Sequence, residues 1–104
     1  MINNNFEIFE IKDNLFLTKH YTVDLSRTVG FSEKKQDEMD DAKGILNGAF
    51  VYFYFFLDTG NLLRINFDFW NYHRQGPEQT KRIDENYQNI VNMLTEYYKA
   101  NGKS

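Results

Sequence analysis

The feature that most restricts the fold is an apolar run, Ala49 to Leu57 (AFVYFYFFL), followed after Asp58-Thr59-Gly60 by the alternating stretch Asn61 to Trp70 (NLLRINFDFW). At nine residues the run is too short to cross a bilayer as a helix, which takes about twenty. Its aromatic and β-branched content reads as a strand. A loop with Gly60 in the left-handed conformation makes a type I turn plus bulge. That turn sets Leu57 opposite Asn61, Phe55 opposite Leu63, Phe53 opposite Ile65 and Val51 opposite Phe67. The odd positions Val51, Phe53, Phe55, Leu57, Leu63, Ile65, Phe67 and Phe69 then share one face. The other face carries Phe50, Tyr52, Tyr54, Phe56, Leu62, Arg64, Asn66, Asp68 and Trp70. A shorter loop would mix Arg64, Asn66 and Asp68 among the phenylalanines, because a one-residue slip exchanges the faces of a whole strand.

The same reasoning applied upstream gives a first hairpin around Lys12-Asp13-Asn14, with Phe9, Ile11, Leu15, Leu17 and Tyr21 on one face. Phe6, Ile8, Glu10, Phe16, Thr18 and His20 take the other. An isolated hairpin is marginal in water, so the two hairpins are expected to join in a four-stranded antiparallel sheet. The C-terminal region reads as an amphipathic helix packed on the odd face. Pro77 and Glu78 suit its first turn, and Ile83, Tyr87, Ile90, Leu94 and Tyr97 recur at helical spacing, widened by Val91 and Tyr98. Lys99 and Asn101-Gly102 end it. Between the hairpins, SEKKQDEMDDAKGIL reads as a weak middle helix capped by Ser32, with a loop over residues 32–46 as the alternative. With 104 residues and no repeat or linker, the fold class expected is a single α+β domain over residues 1–104.

Composition removes several kinds of chemistry. Without cysteine there is no disulfide framework, thiolate metal site or cysteine nucleophile. His20 and His73 have no partner at metal-ligand spacing, so neither a metal nor a cofactor is expected. His20 reads as a strand-surface residue and His73 as part of an exposed connector. Ser26, Ser32 and Ser104 lie in no nucleophile elbow, and no glycine-rich phosphate loop is present. Asp68, the sole acid central to the hairpin strands, has no evident partner. These absences favour a non-catalytic reading over a small enzyme or ligand-pocket protein. MINNNFEIFEIKDN lacks the pattern of a signal peptide, and a cytoplasmic location away from membranes is expected.

Binding surfaces remain. The net charge of −3 disfavours contact with a phosphate backbone, although Tyr52, Tyr54, Phe56 and Arg64 have the residue types of a single-strand stacking platform. The even face, with Tyr52, Tyr54, Phe56, Arg64 and Trp70, is instead read as a protein interface. Patches of this size and residue type mark association, with a partner or with a second copy as a homodimer. The competing expectation is that the middle segment covers the face through Val29, Phe31, Met39 and Leu46. The acidic cluster Asp37, Glu38, Asp40 and Asp41 lacks the pattern of a calcium loop. It reads as a solvated helix face or as a rim for a basic partner, such as a nucleic-acid-binding enzyme.

Coding bias toward Phe, Tyr, Asn, Lys and Ile suggests an AT-rich genome. In size and composition the chain resembles phage or mobile-element inhibitors of host machinery, anti-CRISPR proteins among them, and bacterial immunity proteins that neutralise toxins. That resemblance implies a small protein acting by binding and occlusion of a host defence enzyme.

Overall fold

The computed structural model describes residues 9–37, 48–71 and 74–102. The strands are β1 (Glu10–Lys12), β2 (Leu15–Leu17), β3 (Thr22–Asp24), β4 (Thr28–Phe31), β5 (Lys35–Gln36), β6 (Gly48–Leu57) and β7 (Leu62–Asn71), followed by α1 (Gly76–Ala100). The fold is α+β, with antiparallel pairing throughout and the helix at the C-terminal end. In place of one four-stranded sheet, the described strands form two. One is β1-β2-β3. The other is built on β6, which pairs with β7 along one edge and with β4 and then β5 along the other.

The β6–β7 turn follows its sequence. Gly60 sits at φ 90°, its N–H donates to the Leu57 carbonyl at 2.9 Å, and the Leu57 N–H donates to Asn61 O at 2.9 Å. Phe55 pairs with Leu63 and Phe53 with Ile65, as expected. Past Tyr52 and Asn66 the register shifts, because β7 carries one extra residue at Phe67. Val51 therefore lies opposite Asp68, and the expected Val51–Phe67 pair is not made. Beyond the bulge the faces exchange. Asp68 and Trp70 turn toward the helix, while Phe69 turns outward, its ring 5.2 Å from that of Phe50. At Gly48 the chains approach so closely that a Cβ would lie 1.8 Å from the Trp70 carbonyl oxygen.

The buried Asp68 is well supplied with donors. Its Oδ1 accepts from Arg82 Nη2 at 2.9 Å and from the Phe69 N–H at 2.8 Å. Its Oδ2 accepts from Asn86 Nδ2 at 2.8 Å and from Arg82 Nε at 3.4 Å. Only 1% of the residue is exposed, and an unpaired carboxylate at such a site would carry a large desolvation cost. One turn earlier on the helix, the buried Gln79 accepts from the Asn71 N–H and donates to the Asn71 carbonyl, both at 2.7 Å. Gln79, Arg82 and Asn86 thus form a polar stripe beside the apolar one, and it fastens α1 to β7.

The apolar stripe packs as the periodicity predicts. Ile83, Ile90, Leu94, Tyr97 and Tyr98 join Val51, Phe53, Phe55, Ile65 and Phe67 in one core. In the upstream hairpin Phe9, Ile11 and Tyr21 pack against this core as expected, but β2 enters it in the opposite phase. A two-residue turn, with Asp13 at φ 57°, pairs Lys12 with Leu15 and Ile11 with Phe16. Phe16, expected on the far side from Ile11, is fully buried with ring centroids 5.3 Å from Phe55 and 6.3 Å from Phe53, whereas Leu15 is exposed. Tertiary bonds hold this turn: the Asn14 carbonyl accepts from the Leu25 N–H, and its side chain accepts from the Tyr97 hydroxyl.

The middle segment departs most from expectation. Residues 35–36 form a strand on β6, so the helix expected from Ser32 is absent from its described part; residues 38–47 lie outside the described residues. Ser32 caps no helix. Its hydroxyl accepts the Tyr54 N–H at 2.8 Å and its own N–H donates to Tyr54 O, which continues the pairing with β6 between β4 and β5. The Tyr87 hydroxyl then ties α1 to the Ser32 carbonyl at 2.9 Å.

Two outcomes test this core. Asp68→Ala leaves Arg82 and Asn86 facing an empty site and should cost about 3–5 kcal/mol in urea unfolding. Combining Asp68→Val with Arg82→Met should recover most of that loss, and a single-variant cost below about 1 kcal/mol would refute the structural role assigned to the pair. The second outcome concerns Tyr98, whose hydroxyl shares a buried 2.6 Å hydrogen bond with Thr28. Burial pushes the Tyr98 phenol above its ordinary 10.0, and the Thr28 bond pulls part of the way back. The folded state therefore holds this proton more tightly than the unfolded chain. The resulting stability is complete below pH 10 and is lost as pH rises through the higher folded value. Tyr98→Phe should cost about 1 kcal/mol at pH 7, and its stability curve should converge on the wild-type curve above pH 10. Parallel curves would show that Tyr98 does not contribute to alkaline unfolding.

Candidate protein-binding face

The face of β6 and β7 away from α1 is assembled by strand alternation and by the bulge in β7. β6 contributes Phe50, Tyr52, Tyr54 and Phe56, and β7 contributes Leu62, Arg64, Asn66 and, through the bulge, Phe69. Lys35 pairs with Tyr52 and so stands on the same face. Phe50 is 36% exposed, Phe56 39% and Leu62 55%, and neighbouring Val29 on the β4 edge is 65% exposed. The large side chains are ordered against one another, with the Tyr52 and Tyr54 rings edge to face at 5.4 Å.

Arg64 is the centre of this face. Its guanidinium carbon lies 3.7 Å from the centroid of the Tyr52 ring. Its Nη2 donates to Asp37 Oδ2 at 2.7 Å and its Nε to Asn66 Oδ1 at 2.8 Å. The Asp37 hydrogen bond, set against some desolvation, pushes the Arg64 pKa above its already high ordinary value, so the cation persists at any physiological pH. Desolvation and the neighbouring Tyr54 likewise raise the Tyr52 phenol above 10.0, against an opposing pull from Arg64. Both groups are therefore hydrogen-bond donors at neutral pH.

Tyr52, Tyr54, Phe56 and Arg64 thus come together as the alternation indicates. Trp70 does not join them, because the bulge turns it to the helix side, where it packs against the core. Asp37 belongs to the face through Arg64. Glu38, Asp40 and Asp41 lie outside the described residues, as do His73, Met39 and Leu46. Phe31 does not cover the face: its ring stacks on Tyr98 at 6.1 Å, on the core side. Phe69 is the member that sequence reasoning missed, since strict alternation assigns it to the core.

Other recesses offer less. A shallow groove of about 510 Å³ beside α1 is lined by Phe9, Asn86, Asn89, Asn92 and Met93, with no acid, base or nucleophile. His20 lies in an exposed turn. Among the described residues no cluster of three or more His, Asp or Glu could hold a metal ion, and no helix is long and apolar enough to cross a membrane. Comparisons with protein-family models, with curated proteins and with solved structures return no match for this chain.

Proposed function

We propose that this chain is a non-catalytic protein-binding domain that works through the outer face of β6 and β7. The observation that carries the reading is the group formed by exposed Phe50, Phe56 and Leu62 with half-buried Tyr52 and Tyr54, around a cation already held in place. Aromatic side chains and arginine dominate interface energetics, the aromatics because they bury much area with few rotors. Asp37 and Asn66 have already restricted Arg64, so binding loses less side-chain freedom there. A single-stranded nucleic acid is the competing ligand. Against it weighs the position of Arg64, which occupies a face of the Tyr52 ring on which a base would stack. Occlusion of a host enzyme by a mobile-element inhibitor is the form of this activity that the size and composition favour.

The test is a pull-down from host lysate with wild type, a Tyr52→Ala/Tyr54→Ala variant and an Asp40→Asn/Asp41→Asn control. Folding of each is checked first by circular dichroism. Each anchor in a desolvated centre should contribute about 2 kcal/mol or more of affinity, so the aromatic variant should lose the partner while the control keeps it. Loss in the control alone would move the site to the acidic segment. Nucleic acid captured by wild type and lost by the aromatic variant would replace the protein-binding reading with a stacking platform.

A further inference from the structure

Beyond the outer face, we propose that the first half of the β7 edge that no described strand pairs is a strand-addition site. Its ligand would be an extended peptide whose lysine or arginine enters the groove beside Leu63. The inference starts from which backbone groups β6 uses. The Leu57–Asn61 bond sets the phase of the ladder, so Phe55–Leu63 and Phe53–Ile65 are the bonded pairs. The N–H and C=O groups of Leu62, Arg64 and Asn66 therefore point away from β6, toward the open edge.

Farther along, the same edge is closed. The Phe69 N–H is taken by Asp68 Oδ1 and its carbonyl by Arg82 Nη2, while Gln79 takes both backbone groups of Asn71. Side chains guard the second half of β7 in the way natural edge strands are guarded. No such cover occurs at Leu62, Arg64 and Asn66 among the described residues.

A second copy of the chain fits this edge poorly. In the self-pairing that uses the whole open stretch, Arg64 would face Arg64 of the other copy, and like charges directly opposite are destabilising. Shifting that register by two residues one way carries Leu62 to Asp68, next to the guarded Phe69, and the other way shortens the open pairing to Leu62 and Arg64. An unlike partner is favoured.

The chemistry of that partner follows from the core side of the edge. There a groove of about 360 Å³ is lined by Thr22, Val23, Asp24, Arg27, Leu57, Asp58, Thr59, Asn61 and Leu63. Val23, Leu57 and Leu63 can hold a methylene stem, and the carboxylates of Asp24 and Asp58 outnumber the single guanidinium of Arg27. In an added strand, residues flanking the one opposite Arg64 point to this side. A basic residue at that position matches both the apolar wall and the charge. Main-chain bonds would supply affinity and this groove specificity, as in other strand-addition sites.

The experiment is amide hydrogen exchange by NMR on the full chain, with a short blocked peptide alternating threonine and lysine as the probe. Saturating peptide should slow exchange at Leu62, Arg64 and Asn66 by about tenfold or more, leaving Phe69 and Asn71 as they were. A twin peptide N-methylated at its bonding positions should bind about tenfold more weakly. Leu62→Pro, which removes an outward N–H and no bond to β6, should weaken binding of the parent peptide. Asp58→Asn should weaken the lysine peptide and leave an all-threonine peptide unaffected. The proposal is overturned by an absence of binding, or by binding without protection at these three amides. Equal affinity for the methylated twin or for a glutamate version would overturn it as well. So would protection that rises with protein concentration alone, which would assign the edge to a second copy. Because these readouts lie on the edge, they are independent of whether Tyr52 and Tyr54 bind a partner.

Discussion

The buried carboxylate of Asp68 sets the relation between the long hairpin and the helix. An acid on an edge strand would ordinarily point to water, and the bulge at Phe67 is what turns this one inward. Once inside, it requires donors, and Arg82, Asn86 and the Phe69 amide provide them. Arg82 and Asn86 lie on one side of α1, so the helix is fixed in rotation and not merely pressed on the sheet by its apolar stripe. The same contact turns Phe69 out and Trp70 in. The presence of Phe69 and absence of Trp70 on the outer face therefore go with an ion pair on the opposite side of the sheet.

β6 divides the remaining work. It is paired on both edges, so its backbone is satisfied, and its two rows of side chains lead different lives. Val51, Phe53 and Phe55 are buried under α1 and under Phe16 of the small sheet. Their burial stabilises the fold at about 25 cal/mol per Å² of apolar surface removed from water. Tyr52, Tyr54 and Phe56 have no comparable cover among the described residues. Stability thus rests more on one row than on the other.

How much of this could be read beforehand follows from what alternation can and cannot express. The Gly60 turn, the pairing from Leu57 to Phe53 and the helix from Pro77 to Lys99 all rest on local signals, and all are found. The bulge is invisible to the same method, because Phe67-Asp68-Phe69-Trp70 reads as plausible alternation in either phase. A signal did exist at a distance: Gln79, Arg82 and Asn86 recur at helical spacing beside the apolar stripe, and such a polar row implies a buried acid or backbone group to meet it. The phase of β2 was decided by tertiary bonds from Asn14 to Leu25 and Tyr97, which no local pattern contains. Ser32 shows the ambiguity of a capping residue. Its hydroxyl can accept from any nearby N–H, and here that N–H belongs to Tyr54 on a neighbouring strand. Of the candidate site, Tyr52, Tyr54, Phe56 and Arg64 were visible by alternation, whereas Trp70 and Phe69 exchanged places for want of one residue of register.

Arg64 connects these parts. Its aliphatic stem rises from β7, its guanidinium lies over Tyr52 of β6, and its far end reaches Asp37, just beyond β5 on the opposite edge. One side chain therefore spans the sheet from edge to edge on its outer face. The bond to Asp37 ties that residue to the face, and the bond to Asn66 draws the guanidinium back along its own strand. A lysine could supply the charge but not this geometry, because a single ammonium cannot lie flat on a ring while holding two planar acceptors on different strands. The sheet thus presents a rigid cation at the point where its aromatic face meets the unguarded half of β7. Both surfaces are pre-shaped there, and a ligand that engaged either would find Arg64 already placed against it.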